Sequence, residues 1–253
     1  MTQEQTNNIK LITNSLTKFG ITNPNIQAGI LATISKESEF VPQSENLNYS
    51  AANIKRVWAN TPDADIPKIT NNPEALGNYK YGLKGGNASN EGYKYRGRGF
   101  NQITFKDTYK KFGDIIGVDL VSNPDLLNTP QVAADAAVAF FAGELKAGIK
   151  ANSFKKFGVT DLNLVKDTTT ATKIAIQINA GRRTNFNNPV VQEGYNKAIG
   201  VVDSLLAMLD TQATNLTAIA KFTKKNWIPI TITVVGLTGL LTVILMLSEK
   251  RIA

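Results

Sequence analysis

The chain contains neither cysteine nor histidine, and these two absences exclude most of the common catalytic groups. Without cysteine there is no disulfide, no thiolate zinc site and no cysteine nucleophile. Without histidine there is no Ser-His-Asp triad and no imidazole base. Acid–base chemistry must therefore depend on Asp, Glu, Lys or Tyr side chains. We accordingly expect no cofactor and no bound metal.

The chain has little acidic charge relative to basic charge, with a formal net charge of +8 over 253 residues. This balance favours an anionic partner such as a bacterial wall, a membrane surface or a nucleic acid. The basic residues are mostly scattered among acids and amides without a recognisable reading motif, so we do not expect nucleic-acid binding. The N-terminal MTQEQTNNIK has no basic-then-apolar pattern, so no cleavable signal peptide is expected.

Apolar spacing and capping residues predict a mainly α-helical fold. Isoleucines and leucines recur at helical spacing, and Asn-Pro and Thr-Pro pairs mark several helix starts. The predicted helices cover residues 3–19, a segment that begins at Pro24, segments that follow Ser50 and Asn72, and residues 107–116, 130–147, 170–179 and 189–210. At most a small β-hairpin is expected near residues 80–104, with a brief strand over 100–105.

One acidic residue, Glu37, lies where the second helix should bury its apolar side. Ile30 and Ile34 step by four, and Glu37 follows three residues later on the same stripe. A carboxyl in that place is partly desolvated, which disfavours its charged form and suits a general acid. The alternative is that Glu37 only ends the helix and reaches solvent.

A second acid, Glu45, follows Pro42 in a loop. A loop glutamate is usually a solvated charge, but Asn48 and Tyr49 beside it can bind sugar hydroxyls. Loops on a rigid scaffold often carry catalytic groups. Two acids on different backbone elements suit the hydrolysis of a glycosidic bond.

The sequence YRGRGFNQIT, from Tyr95 to Thr104, begins with glycines and arginines that favour a turn. A short element with amide and hydroxyl side chains, Asn101, Gln102 and Thr104, follows this turn. The tyrosines in and before this stretch can line a sugar groove with their aromatic faces. The alternative is that they belong to a small hairpin.

The C-terminal segment 227–247 carries no charged residue and is long enough for a bilayer's hydrocarbon core, roughly 20 residues at 1.5 Å each. Trp227 lies at one end, and Lys250 and Arg251 follow the other. These features predict a single transmembrane helix, with a buried core helix as the alternative. Residues 211–226 would then form a polar, basic linker or juxtamembrane helix, and residues 248–253 a short basic tail.

These motifs together resemble glycoside hydrolase family 19, which includes plant chitinases and many phage endolysins, with the endolysin branch the more similar. The resemblance covers roughly residues 25–200. Its matching pieces are KESEF, the ENLNYSA run from Glu45, the Asn78-Tyr79 region, YRGRGFNQIT, GVDLVSNPDLL from Gly117, and INAG from Ile178.

The resemblance implies a lysozyme-like fold for residues 1–210 and a set of site residues. Glu37 would be the general acid, Glu45 the general base that activates water, and Thr104 the hydroxyl that helps to hold that water. Glycan-contacting positions are Gln102 and Asn179, with Tyr49, Asn48, Tyr95 and Arg98 as further candidates. The family inverts stereochemistry. Departures from its pattern at Ser38, Thr108 and Ala180 affect subsite preference more than the catalytic pair.

The sequence therefore predicts a membrane-anchored hydrolase of peptidoglycan or chitin-like glycan, with peptidoglycan favoured by basic charge and endolysin-like motifs. We expect a single-pass C-terminal anchor in a virion membrane of a phage, with capsid proteins as possible partners. A host or prophage wall hydrolase is the fallback. The alternatives are a lytic transglycosylase and a non-catalytic structural protein that binds wall or capsid.

Overall fold

The computed structural model describes residues 1–150, 164–180, 189–226, 231–234 and 241–244. The chain divides into two compact units, Met1–Leu205 and Leu206–Ala253. The first unit holds all of the candidate site residues, so its helices are the ones that position the site.

The described residues are mainly helical, as the sequence predicts. The helices are α1 (Gln3–Lys18), α2 (Pro24–Ser38), α3 (Ala51–Val57), α4 (Ile66–Ile69), α5 (Pro73–Tyr81), α6 (Lys106–Ile116), a 3-10 helix (Pro124–Asn128), α7 (Pro130–Lys150), α8 (Thr168–Ala180) and α9 (Pro189–Asn226). Only α4 and the 3-10 helix have no counterpart among the predicted elements, since both are too short to show an apolar period.

Side-chain caps explain why several helices begin where they do. Thr2 and Gln5 form a reciprocal capping box at the start of α1. Asn23, Ser50 and Asn72 each accept a hydrogen bond from a backbone N–H in the first turn of α2, α3 and α5. These caps agree with the starts that the sequence indicates.

The packing of α2 against α8 is close enough to require a glycine. A Cβ atom on Gly29 would lie 2.8 Å from the carbonyl carbon of Ala171 and 2.9 Å from the amide nitrogen of Thr172. Because these neighbours are backbone atoms, they cannot move aside cheaply. The close approach also brings the C-terminal end of α8 beside the end of α2.

Two hydrophobic clusters support the segments that follow α2. The larger joins α6, α7 and the 3-10 helix through Tyr95, Tyr109, Phe112 and Leu127, among other side chains. The smaller lies beneath α3, α4 and α5 and contains Leu47, Ile54, Ile66, Ile69 and Leu76. Leu47 connects the loop that carries Glu45 to this smaller cluster.

The expected β-hairpin near residues 80–104 and the brief strand over 100–105 are wrong. The described residues in this range form one isolated antiparallel bridge, in which Arg98 and Ile103 exchange backbone hydrogen bonds of 3.1 and 2.9 Å. Gly99 and Gln102 have positive φ values of 77° and 53° inside that turn. Such left-handed residues bend the backbone too sharply for a longer ladder.

The expected continuous transmembrane helix over 227–247 is also wrong. Thr231–Val234 (β1) and Leu241–Ile244 (β2) form an antiparallel pair in which Thr231 lies opposite Ile244. Both segments are rich in β-branched residues, which favour strands over helices. Among the described residues, no helix has the length and apolar character that a bilayer crossing needs. The remainder of 227–247 and the tail 248–253 lie outside the described residues.

Residues 211–226 are the C-terminal part of α9, which agrees with the helical alternative for this segment. No glycine or proline interrupts the sequence between Val201 and Asn226. With neither residue present, nothing in the local sequence stops the helix that begins at Pro189.

The contact between α2 and α8 leads to a stability prediction. Gly29→Ala should lower the free energy of unfolding by about 1–3 kcal/mol, because the added methyl group meets rigid backbone. Gly200→Ala is the matched control, since no atom lies within 4 Å of its added Cβ and alanine favours helix. Chemical denaturation of both variants would measure the difference. Equal stability of the two variants would contradict the close packing.

Candidate active site

Glu37 lies in the last turn of α2, where its side chain is 25% exposed. The side-chain amide of Asn179, at the end of α8, donates a hydrogen bond of 2.8 Å to Glu37 Oε1. The ammonium group of Lys36 contacts the same oxygen. Glu37 is therefore partly buried and held by two neighbours, which excludes the alternative of a freely solvated helix end.

The backbone reverses sharply after Glu37. Glu39 and Phe40 both have positive φ values, 51° and 60°, which cost non-glycine residues about 1–2 kcal/mol each. Two side chains of α1 secure this turn: Gln5 Nε2 donates to the carbonyl oxygen of Glu39 at 3.0 Å, and Asn8 Nδ2 donates to that of Phe40 at 2.8 Å. The first helix therefore fixes how the chain passes from one acid to the other.

Glu45 lies in the loop that follows and is held by a different set of groups. The phenol of Tyr81 donates a hydrogen bond of 2.8 Å to Glu45 Oε1, and the backbone N–H of Gly97 points at Oε2 from 3.4 Å. The backbone N–H of Glu45 donates to the carbonyl oxygen of Gly97 at 2.8 Å. Burial, followed by the charge of Glu45, raises the pKa of Tyr81, so its phenol remains a proton donor.

Two amide side chains brace the residues just before Glu45. Gln102 Nε2 donates to the backbone carbonyl of Gln43 at 3.1 Å. Asn128 Nδ2, at the end of the 3-10 helix, donates to Ser44 Oγ at 2.9 Å. Gln102 therefore supports the loop that carries Glu45. Its contact with the glycan stays a prediction.

Thr104 lies on the same turn as Gln102 and is partly buried. Its hydroxyl donates to the carbonyl oxygen of Gln102 at 3.0 Å. That bond uses the hydroxyl proton and leaves the oxygen lone pairs to accept a hydrogen bond, for example from water. The turn that contacts Glu45 through Gly97 also carries Thr104.

Two of the expected glycan-binding residues are buried, and the predictions for them are wrong. Tyr95 is 1% exposed, packs edge-on against Tyr109 at 5.4 Å and donates its hydroxyl to the backbone carbonyl of Val121. Arg98 is 2% exposed. Its guanidinium donates to Asp125 at 2.8 Å, to the carbonyl of Lys94 at 2.7 Å and to the hydroxyl of Tyr109 at 2.9 Å.

The buried contacts of Arg98 explain why a charged residue is needed in this turn. Carbonyl and hydroxyl groups that face inward require donors, and the guanidinium supplies several at fixed angles. Through Asp125, Arg98 also ties the turn to the 3-10 helix that supplies Asn128. Its function in the structure is to hold the site together.

Asn48 and Tyr49 remain candidates for glycan contact. Asn48 is exposed and its backbone N–H is bonded to the side chain of Asn46 at 2.9 Å. Tyr49 is partly buried and packs edge-on against Trp58, with ring centroids 5.2 Å apart.

Lys36 and Tyr81 contact the two acids directly but were not among the expected site residues. Adjacent residues on a helix do not normally face each other, so the sequence gives no reason to pair Lys36 with Glu37. Tyr81 is separated from Glu45 by 36 positions, although it belongs to the group of tyrosines that the sequence marks. Among the described residues, no group of three acidic side chains is arranged to hold a metal ion.

Comparison with known proteins finds a family in the middle of the chain. Residues 71–169 match the family model for class I chitinase, glycoside hydrolase family 19. This segment contains Tyr81, the Gly97–Thr104 turn and Asn128, and it begins after both Glu37 and Glu45. The family match therefore covers the residues that support Glu45 but not the two acids.

Individual relatives are similar over parts of their length. A glycosyl hydrolase family 19 domain-containing protein of Haemophilus influenzae is 37% identical over 115 residues, 43% of this chain and 58% of that protein. A basic endochitinase of Vitis vinifera is 51% identical over 49 residues, 19% of this chain and 14% of the enzyme. The chain therefore spans little more than half of the first relative and a small part of the second.

Among solved structures, chitinase C from Streptomyces griseus HUT6037 has a TM-score of 0.44 and 20% identity, over 78% of this chain and 69% of that one. The similarity to a known family is given by the family-model match and by the Haemophilus influenzae relative, each over part of the chain. Over residues 71–169, this chain is therefore similar to glycoside hydrolase family 19, the family of the class I chitinases.

Proposed function

We propose that the protein hydrolyses β-1,4 bonds between N-acetylated sugars, with Glu37 as general acid and Glu45 as general base. The observation that carries this proposal is that two partly buried acids, one at a helix end and one in a loop, are each held in place by their own neighbours. Glu37 is held by an amide and an ammonium group, whereas Glu45 is held by a phenol and a backbone N–H. Two carboxyl groups that are fixed on different backbone elements are what hydrolysis of a glycosidic bond requires.

In the proposed reaction, Glu37 gives its proton to the glycosidic oxygen as the bond to the anomeric carbon breaks. Glu45 removes a proton from a water molecule that attacks the opposite side of that carbon. Thr104 accepts a hydrogen bond from the same water. Inversion by this route needs a separation of roughly 6.5–9.5 Å between the two carboxyl groups, which leaves room for the water.

We propose peptidoglycan as the substrate in preference to chitin. The net charge of +8 favours an anionic cell wall over the uncharged chitin polymer. The endolysin-like motifs described above support the same choice. The relatives named chitinase or endochitinase act within a family whose substrates share the β-1,4 linkage, so chitin oligomers are the natural comparison.

We also propose that the protein is located at a membrane, in a phage particle that digests the wall locally during entry. This proposal is supported by the sequence alone, through the charge-free segment 227–247 and the basic residues on both sides of it. The strands β1 and β2 exclude a single continuous helix as the means of attachment. Purified particles of the source virus that lack this polypeptide would refute the proposal.

Mass spectrometry of the products formed from purified peptidoglycan and from chitin oligomers would test the activity. The full-length protein should be compared with Glu37→Gln and Glu45→Gln. We expect products with hydrated reducing ends, and a loss of activity of at least about 100-fold in each variant, because each removes a proton-transfer group. Peptidoglycan should be cut faster than chitin oligomers.

Other products would decide between the alternatives. Anhydro-muramyl ends that persist in Glu45→Gln would show a lytic transglycosylase, which needs a single acid. Absence of products from either substrate would favour a structural protein that binds the wall or a capsid. Faster cleavage of chitin oligomers would retain the hydrolase and reject peptidoglycan as its preferred substrate.

The contact between Tyr81 and Glu45 leads to a second prediction about activity. Tyr81→Phe should lower kcat by roughly 10-fold, since a hydrogen bond to a charged group contributes about 1.5–3 kcal/mol and part of that is replaced by water. The lost donor holds the base in place, so the effect should fall on the chemical step. KM should change little.

The matched control for this measurement is Tyr79→Phe. Tyr79 is on the same helix, is exposed and has its hydroxyl 3.4 Å from Asp65. We expect it to change kcat by less than about 2-fold, as exposed contacts of this kind contribute little. Similar kinetic effects of the two substitutions would show that Tyr81 does not support the base.

A further inference from the structure

Both contacts that the described residues make to the Glu37 carboxyl group fall on one of its two oxygens. Asn179 Nδ2 donates to Oε1 at 2.8 Å, and the Lys36 ammonium group contacts that same oxygen. Within the part of the chain that the structure describes, no hydrogen bond or ion pair is made to Oε2. A carboxyl group held through one oxygen has a fixed rotation, and its other oxygen points in a defined direction.

The position of Lys36 depends on α9. Side chains at neighbouring positions of a helix point about 100° apart, so Lys36 has to bend back to reach Glu37. A Cβ atom on Gly194 of α9 would lie 3.3 Å from both Cδ and Nζ of Lys36. The missing side chain at position 194 therefore provides the space in which the lysine takes this shape.

Among the described residues, the polar and charged side chains around Lys36 lie on three helices. Glu37 is the contact on α2, α8 contributes the uncharged amide of Asn179, and α9 contributes Glu193 and Lys197. The pKa of Glu193 is lowered chiefly by Lys197, with a smaller contribution from Lys36. Lys197 pairs with Glu193 at 2.8 Å on an exposed surface. The ammonium group of Lys36, in contrast, contacts Glu37.

We infer that Lys36 is a positioning residue for the general acid, which it holds through Oε1 so that Oε2 delivers the proton. The inference rests on the proposed function. When the glycosidic bond breaks, the proton of Oε2 passes to the leaving oxygen and Glu37 becomes a carboxylate. The ammonium group stabilises the negative charge that develops on Glu37 in the transition state. Asn179 donates to the same oxygen and so helps to hold the acid, while its predicted glycan contact stays a prediction.

This role makes the effect of Lys36 depend on the leaving group. An alcohol such as a sugar hydroxyl needs a proton from the acid before it can leave, whereas dinitrophenolate leaves without one. A residue that acts through the acid therefore affects the first kind of substrate and not the second. A residue that only maintains the fold affects both kinds equally.

The experiment compares full-length wild-type protein with Lys36→Met and Lys36→Arg on N-acetylglucosamine oligomers and on a dinitrophenyl glycoside of such an oligomer. We expect Lys36→Met to lower kcat on the oligomers by roughly 10- to 100-fold, within the range of a proton-transfer contribution. Its KM should stay within about 2-fold of wild type, because Lys36 contacts the acid and not the glycan. Hydrolysis of the dinitrophenyl substrate should be almost unchanged, and Lys36→Arg should recover most of the loss.

Two further variants keep the result interpretable. Lys36 and Lys197 both line a cavity of about 680 Å³. Lys197→Met removes an ammonium group from this cavity without touching Glu37, so it should behave as wild type. Gly194→Ala leaves Lys36 in the chain but crowds it, so it should give a smaller loss with the same dependence on the leaving group. This variant tests the inference even where Lys36→Met is too unstable to assay.

Three outcomes would overturn the inference. Equal losses on both substrates would show a structural role, and a raised KM with unchanged kcat would show a glycan contact. Full activity of both Lys36→Met and Gly194→Ala would show no role at all. A wild-type protein that hydrolyses neither substrate would instead refute the proposed function on which the inference rests.

Discussion

The close contact between α2 and α8 is the constraint on which the candidate site depends. Gly29 lets the backbone of the two helices approach until a methyl group would no longer fit between them. Because both helices are rigid over this length, this contact near their N-terminal ends determines where their C-terminal ends lie. Asn179 reaches Glu37 for that reason, although the two residues are 142 positions apart.

The second acid depends on a separate scaffold of polar contacts. Arg98 ties the glycine-rich turn to Asp125, and the 3-10 helix that contains Asp125 presents Asn128 to the residue before Glu45. The buried guanidinium of Arg98 donates to several partners at fixed angles, which favours one arrangement of the turn. Glu37 on the helix and Glu45 in the loop are thus held by different parts of the first unit, and the turn at Glu39 and Phe40 joins them.

Periodic and capped elements could be predicted from the sequence because their signals are local. The starts of α2, α3 and α5 follow from Asn23, Ser50 and Asn72, and the partial burial of Glu37 follows from its place after Ile30 and Ile34. The burial of Arg98 and Tyr95 could not be predicted, since charged and aromatic residues beside glycines usually indicate an exposed turn. Only the surrounding carbonyl and hydroxyl groups, distant in sequence, show why these side chains lie inside.

The C-terminal segment shows a limit of the same reasoning. A long run without charge predicts a membrane helix from hydropathy, but hydropathy does not distinguish helix from strand. Thr231–Val234 and Leu241–Ile244 are composed mostly of β-branched residues and pair as strands. The strand propensity of the β-branched residues within 227–247 was the signal that favoured the two observed strands.

The central claim is that Glu37 and Glu45 act on opposite sides of one sugar. The stereochemistry of the first product tests it most directly, by proton NMR of β-linked N-acetylglucosamine oligomers during the first minutes of cleavage. The account predicts that the new reducing end appears first as the α-anomer, because water directed by Glu45 attacks from the side opposite the leaving group. A β-anomer formed first, or an anhydro sugar, would contradict it.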